Sequence, residues 1–185
     1  MFRPQVSNLA KVGVEGSRRG WIVTTCVGTL LVGVPPLCHP VPQLIWNASA
    51  SVPIDLYRVV PAATLRVGEL VVVTPTKALA DFLAERAYLA MGVPLLKYIL
   101  ALPGQVVCRL GLTITVDGRT KGRALKLDHA GRTLPNWQGC RIVAEDEVFF
   151  MNWRSQYSFD GRYFGLLPAS SIVGRAEPLW IQKDN

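Results

Sequence analysis

Histidine is nearly missing from this chain: His39 and His129 are the only two among 185 residues. A zinc centre or a Ser-His-Asp triad has few members to draw on, and no Cys/His spacing of the zinc type is present. Charge is scarce as well, at 18% of residues. There is no run of Lys or Arg and no interleaving of bases with aromatics, so the net charge of +7 does not describe a nucleic-acid surface. Internal repeats are absent. Half the residues are hydrophobic, which excludes a disordered chain and leaves enough apolar surface for a core. The length suits one domain with a short appendage.

The longest absence lies near the start. From Gly20 to Ile54 no Lys, Arg, Asp or Glu occurs, and Arg18-Arg19 stand just before the run. Its front, Trp21 to Val34, is strongly apolar and meets Pro35-Pro36. Bases are retained on the cytoplasmic side of a membrane, so the pattern predicts a single anchor with its N-terminus in the cytoplasm. The expected division is a basic cytoplasmic tail over 1–19, a transmembrane anchor over 20–38 and an exported domain over 39–185. Two other readings fit the same run: a buried core helix, or a cleavable secretory signal with Ala48-Ser49-Ala50 as a small-x-small site. The cleavage reading places that site unusually far from the apolar segment. With either an anchor or a signal, the rest of the chain lies on the periplasmic side of the inner membrane, in an oxidising compartment.

Beyond Asp55 short β-branched runs dominate. Strands are predicted at Leu56 to Val60, Leu70 to Thr74, Leu95 to Leu102, Gln105 to Arg109, Leu112 to Val116, Arg141 to Val143, Glu147 to Asn152, Arg162 to Leu167 and Ser171 to Ala176. Asp117-Gly118 reads as a hairpin turn leading into Arg119. Thr76 to Met91 is the one helical stretch, with Leu79, Phe82, Leu83, Arg86 and Ala90 at 3–4 spacing. The expected fold is mainly β: an antiparallel barrel or sheet domain with one short helix, behind an N-terminal transmembrane helix.

Three segments could carry chemistry. Ser49 and Ser51 lie among small residues in Trp46-Asn-Ala-Ser-Ala-Ser-Val-Pro53, a tract that would otherwise serve as a turn or linker. Lys97 sits in a strand whose two faces are both apolar, Leu95, Ile99 and Ala101 against Leu96, Tyr98 and Leu100. Desolvation drives such an amine toward its neutral form, suiting it to general-base work; the alternative is an edge lysine whose stem lies on apolar surface and whose amine reaches water. The third segment is Ser158-Phe-Asp160-Gly-Arg162-Tyr-Phe-Gly165, followed by Val173-Gly-Arg-Ala176. Asp160 and Arg162 alone could be a turn and a surface ion pair. Together the three segments hold a nucleophile and the substitute base that a serine without histidine needs.

In this order the segments resemble type I signal peptidases, the Ser/Lys membrane proteases, and within them the conjugative-transfer branch of TraF-type pilin peptidases. The cues are N-x-S-x-S-x-P-x-x-L-Y-R at 47–58, K-x-x-x-x-L-P-G from Lys97, L-P-x-W-x-G-C at 134–140 and S-F-D-G-R-Y-F-G at 158–165. The resemblance implies Ser51 as nucleophile and Lys97 as general base. It implies that Ser49 joins the Ser51 N–H in an oxyanion hole, that Ser158 holds the Lys97 amine, and that Asp160 and Arg162 support them. Asp55 stands where this branch carries Gly, and Gly161 where many relatives carry Ser. The implied activity is cleavage of an exported, prepilin-like precursor after small residues, by hydrolysis or with cyclisation. No cofactor, metal or nucleic acid is expected. Cys108 and Cys140, each beside a strand of the exported body, are a disulfide candidate; no His or helix start adjoins either, so neither reads as a nucleophile. Two other functions stay open: a self-cleaving repressor-type autoprotease, disfavoured by the anchor, and a non-catalytic exported β-domain that binds pilus or secretion components.

Overall fold

The computed structural model describes residues 18–38 and 43–179. His39, most of the basic tail and the last six residues lie outside them. The chain divides into two units between Val41 and Pro42. The first holds helix α1, Arg18–Cys38, which includes the stretch 20–38 where an anchor is expected. Its threonines satisfy their own hydroxyls: Thr24, Thr25 and Thr29 each donate to the carbonyl four residues back, at 2.9, 2.8 and 2.9 Å. Among the described residues no helix is long and apolar enough to cross a membrane.

The second unit is mainly β. Strands β1 (Leu44–Asn47), β2 (Asp55–Val60), β3 (Leu70–Val73), β4 (Leu95–Ala101), β9 (Glu147–Phe150), β10 (Leu166–Pro168) and β11 (Ile172–Pro178) form one sheet in the order β1-β2-β11-β3-β4-β9-β10. Strands β5 (Val106–Leu110), β6 (Thr113–Val116), β7 (Arg119–Arg123) and β8 (Gly139–Ile142) form a second, ordered β7-β6-β5-β8. Every pairing is antiparallel, and neither strand order closes on itself. Asp117 and Gly118 both adopt positive φ, 48° and 74°, the conformation that a two-residue hairpin between right-twisted strands demands.

Three expectations need correction. The helix predicted over Thr76 to Met91 is only α2, Lys77–Glu85, capped by the Thr76 hydroxyl on the Leu79 N–H. Ala87 turns to positive φ just beyond it, which breaks the helical path although the apolar spacing continues. The strand predicted at Arg162 to Leu167 begins only at Leu166, because Asp160 caps a one-turn helix α3, Gly161–Phe164. The body therefore carries more than one short helix. Finally, β1 was not predicted at all. Its Leu-Ile-Trp run adjoins the charge-free segment and shows no alternation of its own.

Strand β4 lies inside the large sheet and is buried on both faces. Leu95 and Ile99 pack with Val71, Val73, Leu79, Leu83 and Phe150. Leu96 packs in a cluster with Val52, Tyr57, Val59 and Val72. At its far end Leu100 and Ala101 join Val107, Ile114 and Phe149, linking the two sheets. Cys108 and Cys140 face each other across β5 and β8 and form a disulfide, closing a separation of 32 residues. Replacing both by Ser is expected to lower unfolding free energy by about 3–4 kcal/mol, since the unfolded chain regains the freedom of the closed loop. A denaturant titration of both proteins measures it.

Candidate active site

The loop after β1 presents the two serines. Asn47, buried at the end of β1, builds it. Its Nδ2 donates to the carbonyls of Ser49, Val52 and Pro53 at 2.8, 3.1 and 2.9 Å, and its Oδ1 accepts the Ser49 N–H at 3.1 Å. Val52 plugs the loop into the core, and the Tyr57 hydroxyl donates to the Pro53 carbonyl at 2.8 Å. Burial pushes the Tyr57 phenol up to about 12, so this donor keeps its proton. Asp55 starts β2 and does not adopt positive φ, so no glycine is needed there. In the loop the Ser49 hydroxyl donates to Ser51 Oγ at 2.9 Å, and the Ser51 N–H donates to Ser49 Oγ at 3.3 Å.

Lys97 comes from the middle of β4 and is 4% exposed. Its amine donates to Ser158 Oγ at 3.0 Å. Burial lowers its pKa from 10.5 to about 8; the Asp160 charge opposes that shift, and the Arg162 charge adds to it. Asn152 steadies the strand on both sides of Lys97. Its Oδ1 accepts the Tyr98 N–H at 3.1 Å, and its Nδ2 donates to the Leu96 carbonyl at 3.2 Å.

Beneath this pair lies a buried ion pair. Asp160 is fully buried and Arg162 2% exposed. Arg162 donates to both Asp160 oxygens at 2.9 Å through Nε and Nη2. It also donates to the carbonyls of Arg123, Ser155, Gln156 and Ser158, at 3.4, 2.7, 3.2 and 3.1 Å. One guanidinium thus gathers the loop that carries Ser158. Asp160 Oδ2 also accepts the Asn152 N–H at 3.0 Å, tying that loop to the end of β9. Gly161 is forced by packing: a Cβ there would meet the Phe150 carbonyl oxygen at 2.5 Å and the Phe149 ring at 2.6 Å. A serine at this position requires the backbone to move.

Ser49, Ser51, Lys97 and Ser158 all line one groove of about 610 Å³. Asp160 and Arg162 do not line it; they stand behind Ser158. Among the described residues no hydrogen bond joins Ser51 to Lys97: the serine is engaged by Ser49 and the amine by Ser158. The arrangement places an alcohol and a buried amine of lowered basicity on one cavity, with a second hydroxyl beside each. Such a set can deprotonate an alcohol and stabilise the anion formed by its attack on a carbonyl. Sequence reasoning assigned no role to Asn47, although it opens the N-x-S-x-S-x-P run, or to Asn152. Their contribution is a pattern of contacts to backbone groups, which residue type alone does not reveal.

Among described residues no cluster of His, Cys, Asp and Glu could hold a metal ion. Residues 18–181 match the family model for signal peptidase, peptidase S26. A probable conjugal transfer protein TraF from Sinorhizobium fredii is 38% identical over 144 residues, covering 71% of this chain and 73% of that protein. A conjugal transfer protein TraF from Agrobacterium fabrum is 32% identical over 144 residues, covering 72% and 80%. A plasmid transfer protein TraF from Escherichia coli is 30% identical over 142 residues, again covering 72% and 80%. The crystal structure of a signal peptidase I from Enterococcus faecalis aligns over 60% of this chain and 96% of its own, with a TM-score of 0.36 and 17% identity. By the family match and by the identity and coverage of these relatives, the chain belongs to the signal peptidase family, peptidase S26, a membership that implies serine peptidase activity on a precursor protein.

Proposed function

We propose that this protein is a membrane-anchored serine endopeptidase with a Ser51/Lys97 dyad, and that it matures an exported precursor, a prepilin-like subunit, during conjugative transfer. The observation that carries this reading is the burial of Lys97 on the groove that also receives Ser51, with its pKa brought down to about 8. Neutral Lys97 takes the hydroxyl proton as Ser51 Oγ attacks the scissile carbonyl carbon. The negative charge that develops on the carbonyl oxygen is met by the Ser51 N–H and the Ser49 hydroxyl. Those two groups now bond within the loop, and substrate must draw them outward. Protonated Lys97 then delivers its proton to the leaving amine, giving an ester on Ser51 and a free N-terminus. Water, or the amine of the precursor itself, resolves that ester. Ser158 holds the amine throughout. The TraF names of the relatives support the conjugative setting.

The anchor and the periplasmic location belong to this proposal. Trp21, Ile22, Val23, Val27, Leu30 and Leu31 of α1 are exposed large apolar side chains, a surface that calls for an apolar surrounding. The hydroxyls returned to helix carbonyls suit a medium without water. The Cys108–Cys140 bond suits an oxidising compartment.

Candidate prepilins incubated with the protein, and read by intact mass, test the reading; a mass lower by one water than the linear product identifies cyclisation. The same assay tests the base. Only neutral Lys97 accepts a proton, so kcat/KM is expected to rise about tenfold per pH unit below about 8 and to level off above it. A rate independent of pH between 6 and 9 removes Lys97 from the mechanism.

A further inference from the structure

The groove has a wall that the proposed chemistry leaves unused. Residues 126–134 fold back on themselves. Leu127 bridges Thr133, the Asp128 N–H donates to the Arg132 carbonyl at 2.9 Å, and the Leu134 N–H donates to the Lys126 carbonyl at 3.0 Å. Asp128 organises the turn: its Oδ1 accepts the backbone N–H groups of Ala130 and Arg132 at 2.9 and 2.8 Å. Its Oδ2 accepts Arg132 Nε at 2.7 Å and the Tyr88 hydroxyl. These donors hold the Asp128 carboxyl well below the usual range, so the clamp stays charged at neutral pH.

Tyr88 lies in the stretch after α2, so the clamp ties the hairpin to that element. Arg132 sets its guanidinium 5.2 Å from the Tyr88 ring centroid and donates to the Arg86 carbonyl at 3.1 Å. Arg86 returns a bond to the Thr133 carbonyl at 3.4 Å. At the tip, the His129 ring stands 4.8 Å from Tyr157, the residue next to Ser158. The wall is thus rigid and adjoins the residue that holds the Lys97 amine.

Beside Asp128 and His129, the groove carries exposed apolar side chains here. Leu127 is 51% exposed and Tyr157 66%, yet both line the groove, as do the exposed Trp46 and Val93. Large apolar side chains left in water around a groove mark a surface shaped for an apolar ligand. The small side chains of Ala48, Ser49 and Ser51 also line the groove.

We propose that the hairpin 126–134, clamped to the tail of α2 by Tyr88, Asp128 and Arg132, is a specificity wall that receives a bulky apolar side chain of the precursor against Leu127 and Tyr157. The inference rests on the peptidase reading and adds to it a substrate requirement separate from the small residues at the scissile bond. The full-length protein is tested on synthetic peptides that share a small-residue cleavage core. One flanking position at a time is varied among Leu, Phe, Ser and Asp, with products read by mass. One position is expected to favour Leu or Phe over Ser by about 10–100-fold in kcat/KM. Leu127→Ser and Tyr157→Ser are expected to erase that preference, mainly through KM. Tyr88→Phe, which loosens the clamp, is expected to raise KM while leaving the pH midpoint of about 8 in place. Ser51-dependent cleavage by the wild-type protein with no apolar preference at any position overturns the specificity wall alone, as does a preference that survives both wall substitutions. Failure of every peptide and of intact prepilins overturns the peptidase reading, and the wall with it.

Discussion

Lys97→Met is expected to abolish precursor cleavage, a loss of about 10⁴-fold or more, while making the protein more stable at pH 7. The first effect follows from chemistry. Met has no lone pair of comparable basicity, and the Ser158 hydroxyl that the Lys97 amine bonds is far too weak a base to replace it. Removing one member of a nucleophile–base unit costs nearly as much as removing the whole unit. Ser51→Ala is expected to lose the same amount for the same reason.

The second effect follows from linkage. The folded-state pKa of Lys97, about 8, lies below its ordinary value of 10.5. Between those values the unfolded chain binds more protons than the folded one, so stability rises with pH through that window. Below about pH 8 the fold carries the full penalty of a buried ammonium. Met removes that penalty, and the expected gain at pH 7 is on the order of 1–3 kcal/mol, diminishing as the pH approaches 10.5. Thermal unfolding at pH 7 and pH 10 measures both. A variant that is inactive and also destabilised at pH 7 would mean that Lys97 supports the fold rather than the reaction.

Asp160→Asn is expected to act in the opposite sense on stability. The Asp160–Arg162 pair is almost wholly buried, and breaking such a pair by removing one charge costs about 3–5 kcal/mol, because the partner is left uncompensated. Arg162 would keep its carbonyl partners at Ser155, Gln156 and Ser158, which favours the lower end of that range. A second readout separates this from simple loss of folding. The Asp160 charge holds the Lys97 pKa up against burial, so its removal is expected to move the midpoint of the pH–rate profile below 8. Enzyme that remains folded but keeps its midpoint would show that Asp160 does not act on the amine. Denaturant titration and the pH profile together make the measurement.

Much of the fold was legible in the chain. β-branched runs, the Asp117-Gly118 turn and the helical spacing from Leu79 report local preferences, and local preferences largely decide which elements exist. Their limits were less legible. α2 stops at Glu85 because the backbone turns at Ala87, and the segment after Asp160 makes a helical turn because the Asp160 side chain caps it. In both places one residue's backbone angle or side-chain bond sets the limit, and the apolar spacing does not report it.

By itself the sequence determined the family, the residue types available for catalysis and the near-absence of histidine, since these are properties of order and composition. Only the tertiary structure decided that Ser51 and Lys97 line one groove although 46 positions separate them, that Asn47 and Asn152 brace their backbones, and that a charged clamp holds the hairpin that also lines that groove. The physical reason is burial. How far an amine is desolvated, and which hydroxyl it meets, depend on the side chains that other strands bring to it, and no local stretch of the chain contains that information.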